Sequence, residues 1–335
     1  MTARLPDSQG LLVLPRLNIQ NANAISSPMT HGFLAMTAFL GLMWALERKL
    51  PELGLPSLTF NSVGVICHGC EEEVQDGYVK SFRLSRNPVG KDGAPAAIVE
   101  EGRMNLDVTL VFGVVGARDG AANVLLASEP QRDDVACRIG EVVSTMRIAG
   151  GTVLPTRKAQ PRAVRPRLLA WDEDDETRAA RFRGLRRQWL PGSVLVGRDD
   201  LLALRLEQLR QCRPESTLLD AWLDLSRFNW RPAGRPAGAP DDEKVAWTHD
   251  RTGWIVPIPV GYAALSPLQP AGSVLRARDD RTPFRFVETI YSMGEWLGVH
   301  RLEQIGDMLW YADTEPDSGL YRCRNDYPQR RHAWA

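Results

Sequence analysis

The sequence predicts an α+β fold, and three observations carry that prediction. Residues 11–19 and 60–68 are short apolar runs rich in β-formers. Residues 103–112 alternate, with Met104, Leu106, Val108, Leu110 and Phe112 on one face and Asp107 and Thr109 on the other. Two stretches, about 30–50 and 128–146, carry apolar side chains at helical spacing. The order is β-α-β-β, an extra strand, then α-β. It is close to the ferredoxin-like split βαβ, which is also the plan of RNA-recognition modules.

The elements follow in order. Pro15 removes one backbone donor from the first strand and implies a bulge or an edge there. The polar segment QNANAISSP comes next, and Ser27-Pro28 reads as a helix entry for a helix from about Thr30 to Leu50, stopped by Pro51. Strands at 60–68 and 78–84 flank an acidic turn, Glu71–Glu73 with Asp76-Gly77. Ser128 and Pro130 open a second helix with Val135, Ile139, Val142 and Met146 on one stripe. Gly150-Gly151 close it, and 152–155 begin another strand.

Residues 156–188 differ in kind, with ten basic and five acidic side chains. A helix capped by Asp199 and a short one over 217–226 capped by Ser216 come next, then a Pro/Gly-rich surface loop at 231–243. WIVPIPVGY is extended, the segment Arg276–Arg285 is an Arg-rich loop, and GEWLGVHRLEQIGDMLWY reads as mainly helical. Three parts result: 1–155 as the first part of the core, 156–250 as a helical, Arg-rich insertion, and 251–335 as a C-terminal part returning to the core.

Composition excludes more than it names. With 335 residues, 44% apolar and 24% charged, the chain has an ordinary globular core and needs no disulfide staple. The 41 basic residues cancel the 41 acidic ones. Lys occurs only at 49, 80, 91, 158 and 244, so the basic set is almost wholly Arg, whose planar fork grips phosphate with two bonds. Five scattered cysteines fit a reducing cytosol. No secretory signal is visible, and the apolar stretch Phe33–Leu46 is too short to span a bilayer, so a cytoplasmic protein without a membrane partner is expected.

Chemistry-bearing motifs are few. Cys67-His68-Gly69-Cys70 has the outline of a metal or redox pair, but it lacks a second close pair to complete a zinc site, and Cys67 reads as core. Glu100 and Glu101 point oppositely on an extended chain. No nucleophile elbow, P-loop, HExxH or dinucleotide fingerprint is present, so no catalytic residue, metal or cofactor is expected. His31 is the best-placed general acid or base for a metal-free ribonuclease.

Three groups suit nucleic acid. Gln20, Asn21, Asn23, Ser26 and Ser27 form a polar cluster where a strand feeds a helix; amides read base edges and helix-start N–H groups attract phosphate, though capping and turn formation use the same residues. Arg147 with Gly150 and Gly151 offers a cation beside backbone that a ligand can approach. Arg276, Arg278, Arg281 and Arg285 with Phe286 interleave charge and aromatic surface, as single-stranded nucleic acid requires, unless Asp279 and Asp280 neutralise them.

Long segments together carry a family resemblance: LPRLNIQNANAISSPMTHGF (14–33), RNPVGKDGAPAAIVEEGR (86–103), MRIAGGTVLP (146–155), GWIVPIPVGYAALSPL (253–268), RFVETIYSMGEWLGVHR (285–301) and LWYADTEPDSGLYR (309–322). The chain resembles the Csy-type, Cas-five-like subunit of type I-F CRISPR surveillance complexes, in register from about 11 to 322. The resemblance implies a modified RNA-recognition (RAMP-type) module with inserted hairpin and helical elements. It implies a non-catalytic subunit that holds the 5′ handle of the CRISPR RNA, pairs with the large subunit and abuts the first copy of the repeating backbone subunit. The Arg-rich stretch 156–188 leaves a contact with target DNA open. The apolar stretches 255–268 and 290–311 serve the core or the large-subunit interface. The aromatic motif of ordinary RNA-recognition modules is missing, so base stacking on a bare sheet is not expected. A metal-independent CRISPR endoribonuclease is the alternative, and a protein scaffold touching little RNA is a third reading.

Overall fold

The computed structural model describes residues 4–55, 58–86, 88–116, 123–154, 164–171, 174–233, 245–249 and 251–328. Part of the 156–188 stretch (Arg157, Lys158 and Arg162 among it), most of the 231–243 loop and the end of the strand expected at 152–155 lie outside them.

The strands are β1 (Gly10–Asn23), β2 (Ile25–Ser27), β3 (Thr30–His31), β4 (Thr59–Glu72), β5 (Val74–Gln75), β6 (Ser81–Arg86), β7 (Ile98–Glu101), β8 (Arg103–Val115), β9 (Arg147–Ile148), β10 (Gly151–Val153), β11 (Arg167–Ala170), β12 (Ser193–Gly197), β13 (Arg231–Pro232), β14 (Trp247–Thr248), β15 (Trp254–Ala264), β16 (Val287–Gly298), β17 (Trp310–Glu315) and β18 (Leu320–Asn325). The helices are α1 (Met36–Glu52), α2 (Glu129–Ser144), α3 (Asp175–Gln188), α4 (Asp199–Cys212) and α5 (Leu218–Ser226). The molecule is therefore mixed α+β.

One large antiparallel sheet organises the chain in the order β12-β16-β15-β18-β17-β4-β8-β1-β10-β9, with β11 also pairing β1. Its first part reads β4-β8-β1-β10, with α1 between β1 and β4 and α2 between β8 and β10. The far end closes on itself: β12 pairs β16 along its length and also meets β4 at Ser193↔Cys67 and Val194↔Ile66. Six strands (β4, β17, β18, β15, β16, β12) thus form a ring.

Alternation in β8 builds the main core. Met104, Leu106, Val108, Leu110 and Phe112 join Leu12, Leu14, Leu17 and Ile19 of β1 under Phe39, Leu40, Met43 and Leu46 of α1 and Ile139 and Val143 of α2. The second face is covered too, by Phe182 and Leu185 of α3 with Trp189, Val299 and Met308. Thr109 is consequently buried rather than solvent-facing. Its hydroxyl meets His68 Nε2 at 2.8 Å, while His68 Nδ1 lies 2.8 Å from Pro191 O. Burial lowers the His68 pKa.

Several expectations need correction. Ser27-Pro28 does not open a helix: it forms the turn of a β2–β3 hairpin, with Ser27 Oγ 2.6 Å from Thr30 Oγ1 and accepting from Met29 N at 3.2 Å. Helix α1 starts at Met36 and runs through Pro51 to Glu52. The strand at 78–84 begins at Ser81 and joins β5 and β7 in a separate three-stranded sheet. Arg198, not Asp199, is the N-cap of α4, and Thr217, not Ser216, caps α5 in a capping box with Asp220. The segment 294–311 is not helical. It completes β16, makes two short 3₁₀ turns and enters β17. Its apolar spacing mimics a helix, but Gly294, Gly298 and Gly306 disfavour one, and pairing with β12 and β15 on either side decides the outcome.

A buried ion cluster fixes the ring beside α4. Arg198 binds Glu295 through Nη1 and Asp200 through Nη2 at 2.9 Å, with side-chain exposures of 14%, 7% and 21%. Removing one partner strands a buried charge, which costs about 3–5 kcal/mol. Arg198→Ala is expected to lower the unfolding free energy by about 3 kcal/mol in guanidinium denaturation.

Candidate nucleic-acid interface

The exposed face at one end of the large sheet is built by strand periodicity and two irregularities in β1. Leu17, Ile19 and Ala22 point into the core, while Arg16, Asn18, Gln20, Asn21 and Asn23 are exposed. The β1–β8 register shifts between Leu14 and Leu17 and again between Ile19 and Ala22. Arg16 (φ 54°) and Asn21 (φ 56°) take left-handed backbone at those two places.

Gln20 pairs with Thr152 of β10, and Asn23 N donates to Ala149 O at 3.0 Å. The structure therefore brings Gln20, Asn21 and Asn23 together with Arg147, Gly150 and Gly151. The latter three belong to a hairpin, not to a helix C-cap: Ala149 (φ 47°) and Gly150 (φ 79°) form the two-residue turn between β9 and β10, and Gly151 pairs with Ile148. A side chain at Gly151 would strike Ala22 Cα at 2.9 Å, so that glycine serves strand packing. Gly150 faces open space. Arg147 is exposed, with Nη1 3.2 Å from Gly150 O.

The polar residues divide by what they already hold. Asn23 closes a local turn through Nδ2 to Ile25 O (2.9 Å) and Oδ1 from Ile25 N (3.1 Å). Ser26 Oγ lies 2.8 Å from Thr30 Oγ1, and Ser27 is buried. Gln20 and Asn21 make no side-chain hydrogen bond among the described residues and present their amides outward. The helix-start role expected for this cluster does not apply, because α1 begins at Met36 and its N-cap, Ala35, offers no side-chain bond.

Sequence reasoning missed the neighbours that complete this face: Arg16, Arg103, Asn105 and Thr152. Asn105 Oδ1 accepts from Asn21 N at 3.2 Å, and Arg103 Nη1 reaches Asn21 O at 3.5 Å while pairing with Glu101 at 2.9 Å. Arg16 pairs with Asp107 at 2.7 Å. The alternation of β8 puts Arg103 and Asn105 on its outer face, but no signal in the sequence sets them, Arg16 or Thr152 beside Gln20. Glu100 and Glu101 do diverge: Glu100 takes Phe82 N and Glu101 takes Arg103.

The Arg276–Phe286 loop is a separate surface. It joins β15 and β16 at their Ala264 and Val287 ends. The opposite end of that hairpin, Trp254 and Trp296, lines a cavity with Ser26 and His31. The 11 residues of β15 thus stand between the loop and the first patch. Arg276, Arg278 and Arg281 are exposed and make no ion pair among the described residues. Asp279 does not neutralise them by contact; it accepts from Arg281 N (2.9 Å) and Thr282 N (2.7 Å), bonds that hold its pKa down. Arg285 is half-buried and donates to Pro316 O at 3.3 Å, while Phe286 is exposed and Phe284 meets it edge-on at 5.0 Å.

Among the described residues, no cluster of three or more His, Cys, Asp or Glu could hold a metal ion. None of the described helices is long and apolar enough to cross a membrane.

The turn of the first patch carries a stability test. A left-handed alanine costs about 1–2 kcal/mol, partly offset by the greater entropy a glycine loses on folding. Ala149→Gly is expected to stabilise the chain by about 0.5–1 kcal/mol, and Gly150→Ala to destabilise it by about 1 kcal/mol; urea midpoints check both.

Residues 12–323 match the family model described as CRISPR-associated protein (Cas_Csy2). A CRISPR-associated protein Csy2 from Pseudomonas aeruginosa (strain UCBPP-PA14) is 45% identical over 324 residues, covering 94% of this chain and 95% of that one. Matches of this length, spanning both patches and the ring of strands, mean that the chain belongs to the Csy2 family of CRISPR-associated proteins and is a subunit of the type I-F system.

Proposed function

We propose that this subunit seats the 5′ handle of the CRISPR RNA and breaks no bonds. The observation that carries the reading is the open face of β1, β8 and β10. Gln20 and Asn21 direct unused amides outward there, beside exposed Arg147. Amides discriminate base edges, and arginine holds phosphate. No aromatic residue lies on this face among Arg16, Asn18, Gln20, Asn21, Arg103, Asn105 and Thr152, so bases are read by hydrogen bonding rather than by stacking. The strand order β4-β8-β1-β10 with helices α1 and α2 supports a modified RNA-recognition plan. The free arginines of the 276–281 loop supply a second, sequence-blind grip. Exposed Leu218, Leu219 and Leu223 of α5, with Leu265 and Leu268 beyond β15, suit the large subunit and the first backbone subunit as protein partners in the cytoplasm.

The two patches predict different losses. Replacing Arg276, Arg278 and Arg281 by Ala is expected to weaken RNA retention in filter binding. The slope of log K against log salt should flatten by about 0.7 for each phosphate no longer held. Gln20→Ala with Asn21→Ala is expected to leave that slope unchanged and to cost about 1 kcal/mol only against the authentic handle sequence. Equal losses on a scrambled RNA would refute base reading at this face.

One observation favours a second reading, a metal-independent endoribonuclease. His31, placed in β3, has Nδ1 3.0 Å from Glu72 Oε1, and a carboxylate that orients an imidazole is a recurrent general acid–base arrangement. Repeat RNA incubated with the purified chain, with and without chelator, is expected to stay intact. Chelator-resistant cleavage abolished by His31→Ala would establish the enzyme instead.

A further inference from the structure

The segment Cys67-His68-Gly69-Cys70 is not absorbed by the RNA-binding reading. In an unbroken strand, residues three apart point to opposite faces. Here the β4–β8 register shifts: Cys67 pairs with Val108, Gly69 with Asp107 and Cys70 with Leu106, so His68 is the extra residue. Cys67 and Cys70 therefore stand two register positions apart on one face, the face of Leu106 and Val108. Two positions span about 6.6 Å of strand, within the ~4.4–6.8 Å between Cα atoms that a disulfide bridges.

The surroundings fit thiol chemistry. Both cysteines line a cavity of about 380 Å³ walled by Phe33, Met36, Trp254 and Trp296. Cys70 is exposed and Cys67 buried, and both are reduced. Interaction between the two thiols lowers Cys70 to about 7 against the opposing effects of burial and of Glu72, and it pushes Cys67 far upward, with burial and Asp107 adding to the rise. His31, paired with Glu72, lines the same cavity. His68 is turned to Thr109 and Pro191 and supplies no third ligand for a metal.

We propose that Cys67 and Cys70 form a dithiol modification site that takes low-molecular-weight disulfides of the glutathione type. The Cys70 thiolate attacks one sulfur of the disulfide, whose S–S bond breaks and releases one thiolate. The mixed disulfide is then attacked by Cys67, which gives up its proton. The Cys67–Cys70 bond forms and the second small thiol leaves. Two protein thiols are oxidised, and one small disulfide is reduced to two thiols. Cys70 is the capturing residue because it is the exposed thiolate. Cys67 resolves the adduct because the bulge holds it alongside.

The test treats the full-length chain with oxidised glutathione, quenches with acid and weighs the peptide that carries both residues. Cys212, exposed on α4 and on a different peptide, is the internal reference. The wild-type peptide is expected to lose two hydrogens without retaining an adduct, at least tenfold faster than Cys212 gains one, and to be restored by dithiothreitol. Cys67→Ala is expected to stop at a glutathione adduct on Cys70, and Cys70→Ala to leave Cys67 unmodified. The wild-type rate should rise through pH of about 7, and the inflection should move upward in Cys67→Ala. A stable wild-type adduct, or a Cys70 no faster than Cys212, overturns the proposal, and the wild-type comparison needs no variant to fold.

Discussion

Strand β4 is held from both sides by parts of the chain that are far apart in sequence. β8 pairs with it from Thr59 to Glu72, while its other side is shared by β17 at Val63 and β12 at Cys67 and Ile66. Its side chains divide in the same way, Val63 and Val65 facing the core under α1 and Ile66 the core under α3. Helices α1 and α3 cover its two faces, the six-stranded ring closes through its far edge, and β8 carries its register to β1. Such pairing is long-range and must be complete before the ring can close, so the ring and the polar patch depend on one alignment.

The patch is a product of backbone irregularity as much as of composition. Regular alternation in β1 would expose one residue in two. The bulges near Arg16 and Asn21 place extra polar groups on the same face. The 276–286 loop is held by Asp279, by the backbone pairing of Gln269 with Phe284 and by the bond from Arg285 to Pro316 O.

Local signals were legible where local chemistry decides structure. Ser128 with Gln131 forms a capping box at the start of α2, Pro130 sits in its first turn, and the alternation of β8 is real through Val108. Pro257 and Pro259 did not prevent an extended β15, as the sequence suggests. Legibility failed where partners decide. The 294–311 segment has helical spacing yet is paired on two sides, and Ser27-Pro28 has helix-entry chemistry yet lies in a hairpin. Arg103, Asn105 and Thr152 could not be added to the patch, because which residue stands beside Gln20 is a matter of register, and a bulge moves it. The cysteine pair was visible as a spacing, but its shared face was hidden for the same reason: a spacing of three separates two side chains unless a bulge intervenes.

The closure of six strands removes one free border of the large sheet. At the other end of the sheet the last strand, β9, has only two residues, one of them Arg147. Along β15 the stretch before Gly261 has a single neighbour, and it is there that Pro257 and Pro259 withhold their amide donors. A neighbouring molecule therefore finds little at these two borders on which to lay a strand of its own, which guards them against fibrous self-stacking.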